Sequence, residues 1–552
     1  MRLVPRRSRS ISWKSLCVGC AIAGALLVRC TEASGAESGP ASAVSARIAN
    51  AALRQPAAGA PAILLNGIGA QWYNTANGEY YRYLAEAADA DIGENPSGPA
   101  GLESTGSTIL LLCRVTQKQS YYQSATALYE RLLSGKIPTA EMAYDTEPFL
   151  AAYAAVFHRD GDFARIAEQM EHVPRNSGAR DLGFRMMTLV DALPYFPQDS
   201  PARAAALADL RHLAATALRT QAAGLWSDTQ TAKTSKANPD LAASAMVTYS
   251  LARGVRLGWL SRRYGEATRR AWAAIASRVQ GLSPEEAASD KITAGALLLA
   301  ANEMELAPLA EAGQGSKVLV DGWYNSEKRA KFAGQTVLFH YKWDDYSNPG
   351  YSLFGHIFRS YGVETDSLDE APTVARLKGA RFYLIVSPDN QAKVPDPHFM
   401  TESDAAQIAS WVKQGGVLVM LENDPANADI QHMDILADRF GLHFNDVLVH
   451  HVVGDDFAMG RIDVTQPGPL FRRPYRLYMK DTCSLKLAPG AVSLLRWKGD
   501  ILMGFARYGR GTAVAVTDPW LYNEYTDGRK LPAEYENFAA GSDFVRWLLQ
   551  QK

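Results

Sequence analysis

The sequence predicts an all-α region followed by a mostly parallel α/β region, and three observations carry that order. Apolar residues recur at helical spacing from about residue 62 to residue 312, with few stretches that alternate as strands do. The run Glu311-Ala312-Gly313-Gln314-Gly315 then breaks the pattern. Beyond it, short β-branched runs alternate with helical segments, which is how strands buried on both faces of a parallel sheet read.

At 552 residues the chain is long enough for two domains with sizeable cores and a leader. Arg2, Arg6, Arg7, Arg9 and Lys14 precede the apolar run Leu16 to Val28, the length of a signal-peptide core rather than a membrane span. Ser34-Gly35-Ala36 supplies small residues for cleavage, so residues 1–36 are expected to be removed and the mature protein to be periplasmic or extracellular. The leader is the only membrane contact expected. Residues 37–61, rich in Ala, Ser, Gly and Pro, read as a linker. Cys113 and Cys483 survive such processing and lie in different regions, so two buried free thiols are expected rather than a disulfide. A net charge of -1 offers nothing to draw nucleic acid or an anionic membrane, and an acidic ligand must be met by local groups.

The helical elements follow in order. Trp72-Tyr73-Asn74 with Tyr80-Tyr81-Arg82-Tyr83 marks a first hairpin, and Gly106, Leu110 to Leu112 and Thr116 to Tyr122 a second. In Glu141 to Leu150, Phe149, Leu150, Tyr153 and Phe157 recur at helical spacing, which puts Asp145 at an N-cap with Glu147 and Pro148 in the first turn. An acid so placed is either a cap or a proton donor. Arg180, Gly183 and Phe184 lead into Met186 to Leu193, and the segments Ser244 to Gly258 and Gly295 to Ala300 complete the set. Strands are predicted at residues 317–320, 336–339, 382–386, 417–421 and 513–516, with a helix from Ala406 to Gln414 stopped by Gly415-Gly416.

This ordered series resembles the unsaturated rhamnogalacturonyl and glucuronyl hydrolases, glycoside hydrolase families 105 and 88. The resemblance implies an (α/α)6 six-hairpin barrel over residues 62–312, with Asp145 as catalytic acid and base and a second acid on the preceding hairpin, where Glu103 stands. Residues 316–552 resemble the glutamine-amidotransferase-like domain found behind some family 105 enzymes. Amidotransferases hold a nucleophilic cysteine after such a strand, whereas Leu421-Glu422-Asn423-Asp424 offers none, so this domain reads as non-catalytic.

The implied substrates are lyase-generated oligosaccharides of pectin or rhamnogalacturonan type that end in a Δ4,5-unsaturated uronyl residue. The implied reaction is hydration of a vinyl ether: a carboxylic acid protonates C4, water adds at C5, and the hemiketal opens and expels the remaining sugar. Neither cofactor nor metal is implied. The candidate substrate-binding residues are Tyr144, Arg180, Trp226 and Asp240. Arg180 suits a uronate carboxylate or an interhelical salt bridge, and Trp226 suits a sugar face or barrel packing. As an N-cap, Asp145 would accept backbone hydrogen bonds and feel the positive helix end, both of which favour the ionised form; a neighbouring carboxylate in an apolar pocket pushes the other way.

The family's Trp-His-Lys-like segment and Tyr-His loop give way here to the short turns Ser134 to Ala140 and His172 to Gly178. These losses keep a second function open, a non-catalytic carbohydrate-binding or scaffolding protein on a degenerate barrel. The aromatic loop Asp518 to Arg529 either binds sugar or closes a domain interface. His450-His451 with Asp455-Asp456, and Trp343-Asp344-Asp345, lack a recognised metal spacing and read as polar contacts.

Overall fold

The computed structural model describes residues 44–94, 98, 101–174, 178–227 and 239–552. The leader and its cleavage site lie outside the described residues, as do positions 175–177 of the second short turn.

The helical region comprises α1 (Val44–Ala52), α2 (Ala62–Thr75), α3 (Gly78–Glu94), α4 (Gly106–Thr116), α5 (Gln119–Leu133), α6 (Ala140–Val156), α7 (Phe163–His172), α8 (Ala179–Ala192), α9 (Pro201–Thr220), α10 (Leu241–Arg256), α11 (Tyr264–Gln280), α12 (Pro284–Ala288) and α13 (Lys291–Ala310). Helices α2, α4, α6, α8, α10 and α13 each pack on the next, and α13 packs back on α2, which closes a ring. Helices α3, α5, α7, α9 and α11 lie against it from outside, and α1 and α12 cover α13.

Burial follows the sequence pattern. Inner helices are apolar nearly all round: α13 buries every residue from Ala294 to Glu303. Outer α5 buries one stripe, Tyr121, Ala125, Leu128, Tyr129, Leu132 and Leu133. Where α2 meets α13 the backbones nearly touch, since a Cβ on Gly295 would lie 2.5 Å from the Ile63 carbonyl and one on Gly67 2.9 Å from the Leu298 Cβ.

Two expectations are corrected here. Helix α6 starts five residues before Asp145: Thr139 is its N-cap and accepts from the Met142 backbone N–H at 3.1 Å. Asp145, Glu147 and Pro148 are interior residues, and Pro148 forgoes the bond its N–H would have made to the Tyr144 carbonyl. The Asp-x-Glu-Pro spacing imitates a helix start, which is why it misled. The segment read as a linker also contains α1, whose Ala-rich composition hides a helix pinned by the Ser45 hydroxyl donating to Glu305 at 2.7 Å.

The second region begins with β1 (Lys317–Asp321), β2 (Lys328–Ala330), β3 (Thr336–Leu338), α14 (Ser352–Ser360), β4 (Glu364–Leu368), β5 (Phe382–Val386), α15 (Glu402–Lys413), β6 (Val417–Leu421) and α16 (Ile430–Ala437). It ends with β7 (Leu442–His450), β8 (Arg461–Val464), β9 (Tyr475–Tyr478), β10 (Thr482–Leu487), β11 (Val492–Trp497), β12 (Asp500–Tyr508), β13 (Gly511–Val516), α17 (Asn523–Thr526) and α18 (Asn537–Leu548). Its main sheet has nine strands in the order β4-β1-β5-β6-β13-β12-β10-β7, with β11 paired to β12.

That sheet is mixed, not mostly parallel. From β4 to β13 the pairing is parallel; from β13 onward it is antiparallel. Parallel neighbours need a crossover, which α14 and α15 supply. After α16 and the short 3-10 turn at Asp438–Phe440 the chain reaches β13 without another α-helix and returns by turns, as at Lys498-Gly499, where φ is 49° and 100° and the two-residue hairpin demands it. The strand predicted at residues 336–339 is β3, which pairs only with β2 in a separate ribbon. Cys113 and Cys483 are both buried free thiols. No helix among the described residues is long and apolar enough to cross a membrane.

Candidate active site

The inner helices run parallel, and the ion pairs show it. Arg180 in the first turn of α8 reaches Asp240, the N-cap of α10. At the other face, Arg253 and Arg256 near the end of α10 reach Glu303 in the second half of α13. One face of the ring therefore gathers helix N-termini and the other C-termini.

The second region covers the C-terminal face. Trp72 Nε1 donates to the Asp527 carbonyl at 2.8 Å, His356 bonds Asn74 at 2.7 Å, and the ring of Tyr122 stacks on Phe332 at 4.5 Å. Of the two roles open to the loop from Asp518 to Arg529, its end takes the interface one, with Gly528 against Ala76 and Gly78 and Arg529 over the Tyr81 ring.

Between the two faces lies a cavity of about 280 Å³. On α6, positions 141, 145, 148 and 152 share one helical stripe. Pro148 and Ala152 line the cavity, and Glu141 and Asp145 continue the stripe toward the N-terminal face. On α4, Ser107, Leu111 and Arg114 line it, with Glu103 in the turn that leads into this helix. Asn66 and Tyr73 of α2, Asp191 of α8, Tyr195, and Tyr249 and Arg253 of α10 complete most of the wall, and Tyr346 of the second region closes it.

Asp145 is half-buried, and its carboxyl is pushed up to about 7, first by burial and then by the charges of Glu141 and Glu103. Because Thr139 does the capping, Asp145 lies inside the helix and accepts no backbone hydrogen bond among the described residues. Glu103 itself pairs with Arg131. The structure thus brings Asp145 and Glu103 together and adds Glu141, which sequence reasoning passed over because the cap was set at Asp145 rather than at Thr139, six residues too late.

The binding candidates fare differently. Tyr144 is buried, with its hydroxyl accepting from Asn66 Nδ2 at 2.9 Å, so it braces the cavity wall. Arg180 and Asp240 occupy each other at 2.5 Å, and Asp240 also accepts from the Ala243 N–H at 3.0 Å. Trp226 is 1% exposed and donates from Nε1 to the Ala217 carbonyl at 2.9 Å; it packs the barrel and lies off the cavity.

Asp191, Tyr249, Arg253 and Glu303 were missed. Asp191 accepts from the Tyr249 hydroxyl at 2.5 Å and faces Arg253 Nε at 3.3 Å, while Glu303 holds Arg256 at 2.6 Å. The available signal was a polar stripe on apolar helices: Tyr249 and Arg253 are i, i+4, and Asp191 follows Arg180 by three turns. Tyr346 carried no signal, since it comes from the other region. Among the described residues, Asp434, Asp438 and His443 could share an ion, but the His443 ring already bonds Asp438 at 3.0 Å and faces Asp434 at 3.3 Å. The other two metal-like groups are polar contacts, with Asp345 paired to Arg329 and His451 to Asp481.

Glu147 is fully buried, both of its oxygens lack a hydrogen-bond partner among the described residues, and burial pushes its carboxyl well above the usual range. Glu147→Met should therefore stabilise the protein by about 1–3 kcal/mol near neutrality. A raised folded value means that wild type loses stability as pH climbs from the ordinary carboxylate range, so the variant's advantage should be larger at pH 8 than at pH 5 in roughly paired thermal melts. Equal melting temperatures at both would show that the carboxyl has a partner in solution.

Residues 139–295 match the family model Glycosyl Hydrolase Family 88. The match spans α6 to the start of α13 and so takes in Asp145, Arg180, Trp226 and Asp240, while Glu103 and the second region lie outside it. Among solved structures, the chain is similar to a family 105 glycoside hydrolase of C. acetobutylicum ATCC 824, at 16% identity over 47% of this chain and 99% of that one, with a TM-score of 0.41. A family 88 glycosyl hydrolase from Bacteroides vulgatus gives 14%, 47%, 97% and 0.42. A structure described as a polysaccharide lyase gives 16%, 47%, 97% and 0.40. No curated protein matches the chain.

Proposed function

We propose that this chain is an exported glycoside hydrolase that removes Δ4,5-unsaturated uronyl residues from lyase-generated oligosaccharides of pectin or rhamnogalacturonan type. The observation that carries the proposal is Asp145: a half-buried carboxyl pushed up to about 7 first by burial and then by two acidic neighbours, on the stripe that descends into the cavity. The family 88 match over residues 139–295 supports it. In this reading the second region is an amidotransferase-like, non-catalytic support.

Asp145 gives its proton to C4 of the vinyl ether, and the positive charge develops at C5 beside the ring oxygen. Water attacks C5 and gives a proton to the Asp145 carboxylate, which restores the acid. The hemiketal then opens and releases the remaining sugar. Burial makes Asp145 hold its proton near neutrality, and the charges of Glu141 and Glu103 add to that effect. Helix N-termini gathered at the mouth favour an anionic substrate there.

The decisive experiment incubates the mature protein with unsaturated uronyl disaccharides and follows the absorbance of the conjugated double bond. Loss of that absorbance is expected; if a full panel is left intact, the non-catalytic saccharide-binding alternative replaces the proposal. The pH profile is a second expectation. An acid of raised value is competent below about 7 and spent above it, so kcat/KM should fall roughly tenfold per unit on the alkaline side. A rate that holds level through pH 9 would remove Asp145 as the donor.

A further inference from the structure

We infer that Arg114, backed by Tyr346 of the second region, is the receptor for a carboxylate of the bound saccharide; this rests on the hydrolase proposal and adds a residue pair to its site. Two guanidinium groups line the cavity, Arg114 and Arg253. Arg253 is committed: it faces Asp191 at 3.3 Å and Glu303 at 3.3 Å, and donates to the Val190 carbonyl at 3.2 Å. Arg114 has no carboxylate within ion-pair distance among the described residues. Its contacts include the Tyr346 side chain, whose ring centre is 3.5 Å from the guanidinium carbon, and the Asp344 carbonyl at 3.4 Å.

A guanidinium on a cavity wall gives up hydration, and that loss is offset only when an anion reaches it. Stacking on an aromatic face occupies the flat side of the group and leaves its in-plane N–H donors, and a carboxylate binds in that plane. Arg180, the residue the sequence offered for this task, is taken by Asp240 at 2.5 Å. Tyr346 is itself held edge-on by Tyr73 at 6.1 Å, so the pair is anchored from both regions. The pocket is thus incomplete without the second region, which supplies its floor. The ligand class is a sugar acid, distinguished from the neutral sugar of the same ring.

Calorimetric titration of the full chain with D-glucuronate, and with D-glucose as the neutral match, tests this. Wild type should bind the acid roughly 10–100-fold more tightly, the gain of a charge-assisted contact. Arg114→Gln should bring the two sugars level, Arg114→Lys should keep part of the preference, and Tyr346→Leu should weaken the acid alone. Melting curves identify any variant that fails to fold, and Tyr346→Leu then carries the test with Arg114 intact. Wild type binding both sugars alike, or Arg114→Gln still preferring the acid, would overturn the inference. Asp145→Asn should retain the preference whatever happens to turnover, so a protein that prefers glucuronate yet cleaves no unsaturated uronide rejects the hydrolase reading and leaves the sugar-acid site standing.

Discussion

Asp145→Asn should yield a folded protein that hydrates an unsaturated uronyl disaccharide roughly two to four orders of magnitude more slowly than wild type. Asparagine matches the protonated carboxyl in shape and in its neutral charge, and it lacks only the proton that C4 must receive. Folding should be untouched or slightly improved, because the side chain is an interior residue of α6 with burial opposing its charge. The contrast with Thr139 is informative: Thr139→Ala removes the hydrogen bond that starts the helix and should cost about 0.5–2 kcal/mol, whereas Asp145→Ala should cost no capping energy at all. Melting temperatures and double-bond loss on the three variants separate the roles. An Asp145→Asn enzyme with wild-type turnover would end the assignment of Asp145 as acid.

Glu303→Leu should cost about 3–5 kcal/mol, the largest stability loss expected in the helical region. Its side chain is 6% exposed and bridges Arg253 at 3.3 Å and Arg256 at 2.6 Å. Burial alone would raise the carboxyl, but the two arginines win and hold it below its ordinary value. Its contribution is therefore present above the ordinary carboxylate range and lost as pH falls through the lowered value. Removing it takes from Arg256 its carboxylate partner on the seam between α10 and α13 and leaves Arg253 to Asp191. Urea unfolding is the measurement, and a loss under about 1 kcal/mol would mean that water screens the pair as it does at a surface.

Much of the architecture was legible because it is local. Helical spacing located the inner helices, and β-branched runs located β1, β5, β6 and β13, since both signals live within a few turns of chain. The start of α6 was misplaced because Asp145 with Pro148 carries the same local signs as the true start at Thr139, and only the packed helix decides between them. The antiparallel half of the sheet was unread because its strands mix polar and partly exposed residues with apolar ones, as in the β11 pattern from Val492 to Trp497. At the site, Asp145 and Glu103 could be proposed together, yet Arg180 and Asp240 neutralise one another across helices sixty residues apart. Tyr346 could not be assigned to the pocket at all, because the cavity that it closes exists only once two regions have docked.

The glycines of the ring have a bearing on redesign. Gly67 and Gly295 join α2 to α13, and Gly183 lies 2.8 Å in Cβ terms from Met246 on the seam between α8 and α10. At these seams the spacing of neighbouring helices is set by main chain meeting main chain or a single side chain, with no slack for an added methyl group. The bore of the barrel is therefore determined at its circumference, behind the residues that a ligand would touch. Widening the pocket for a bulkier saccharide would mean trimming wall residues such as Leu111 or Leu299, because a larger residue at a seam glycine would pry the ring open and unseat the floor along with it.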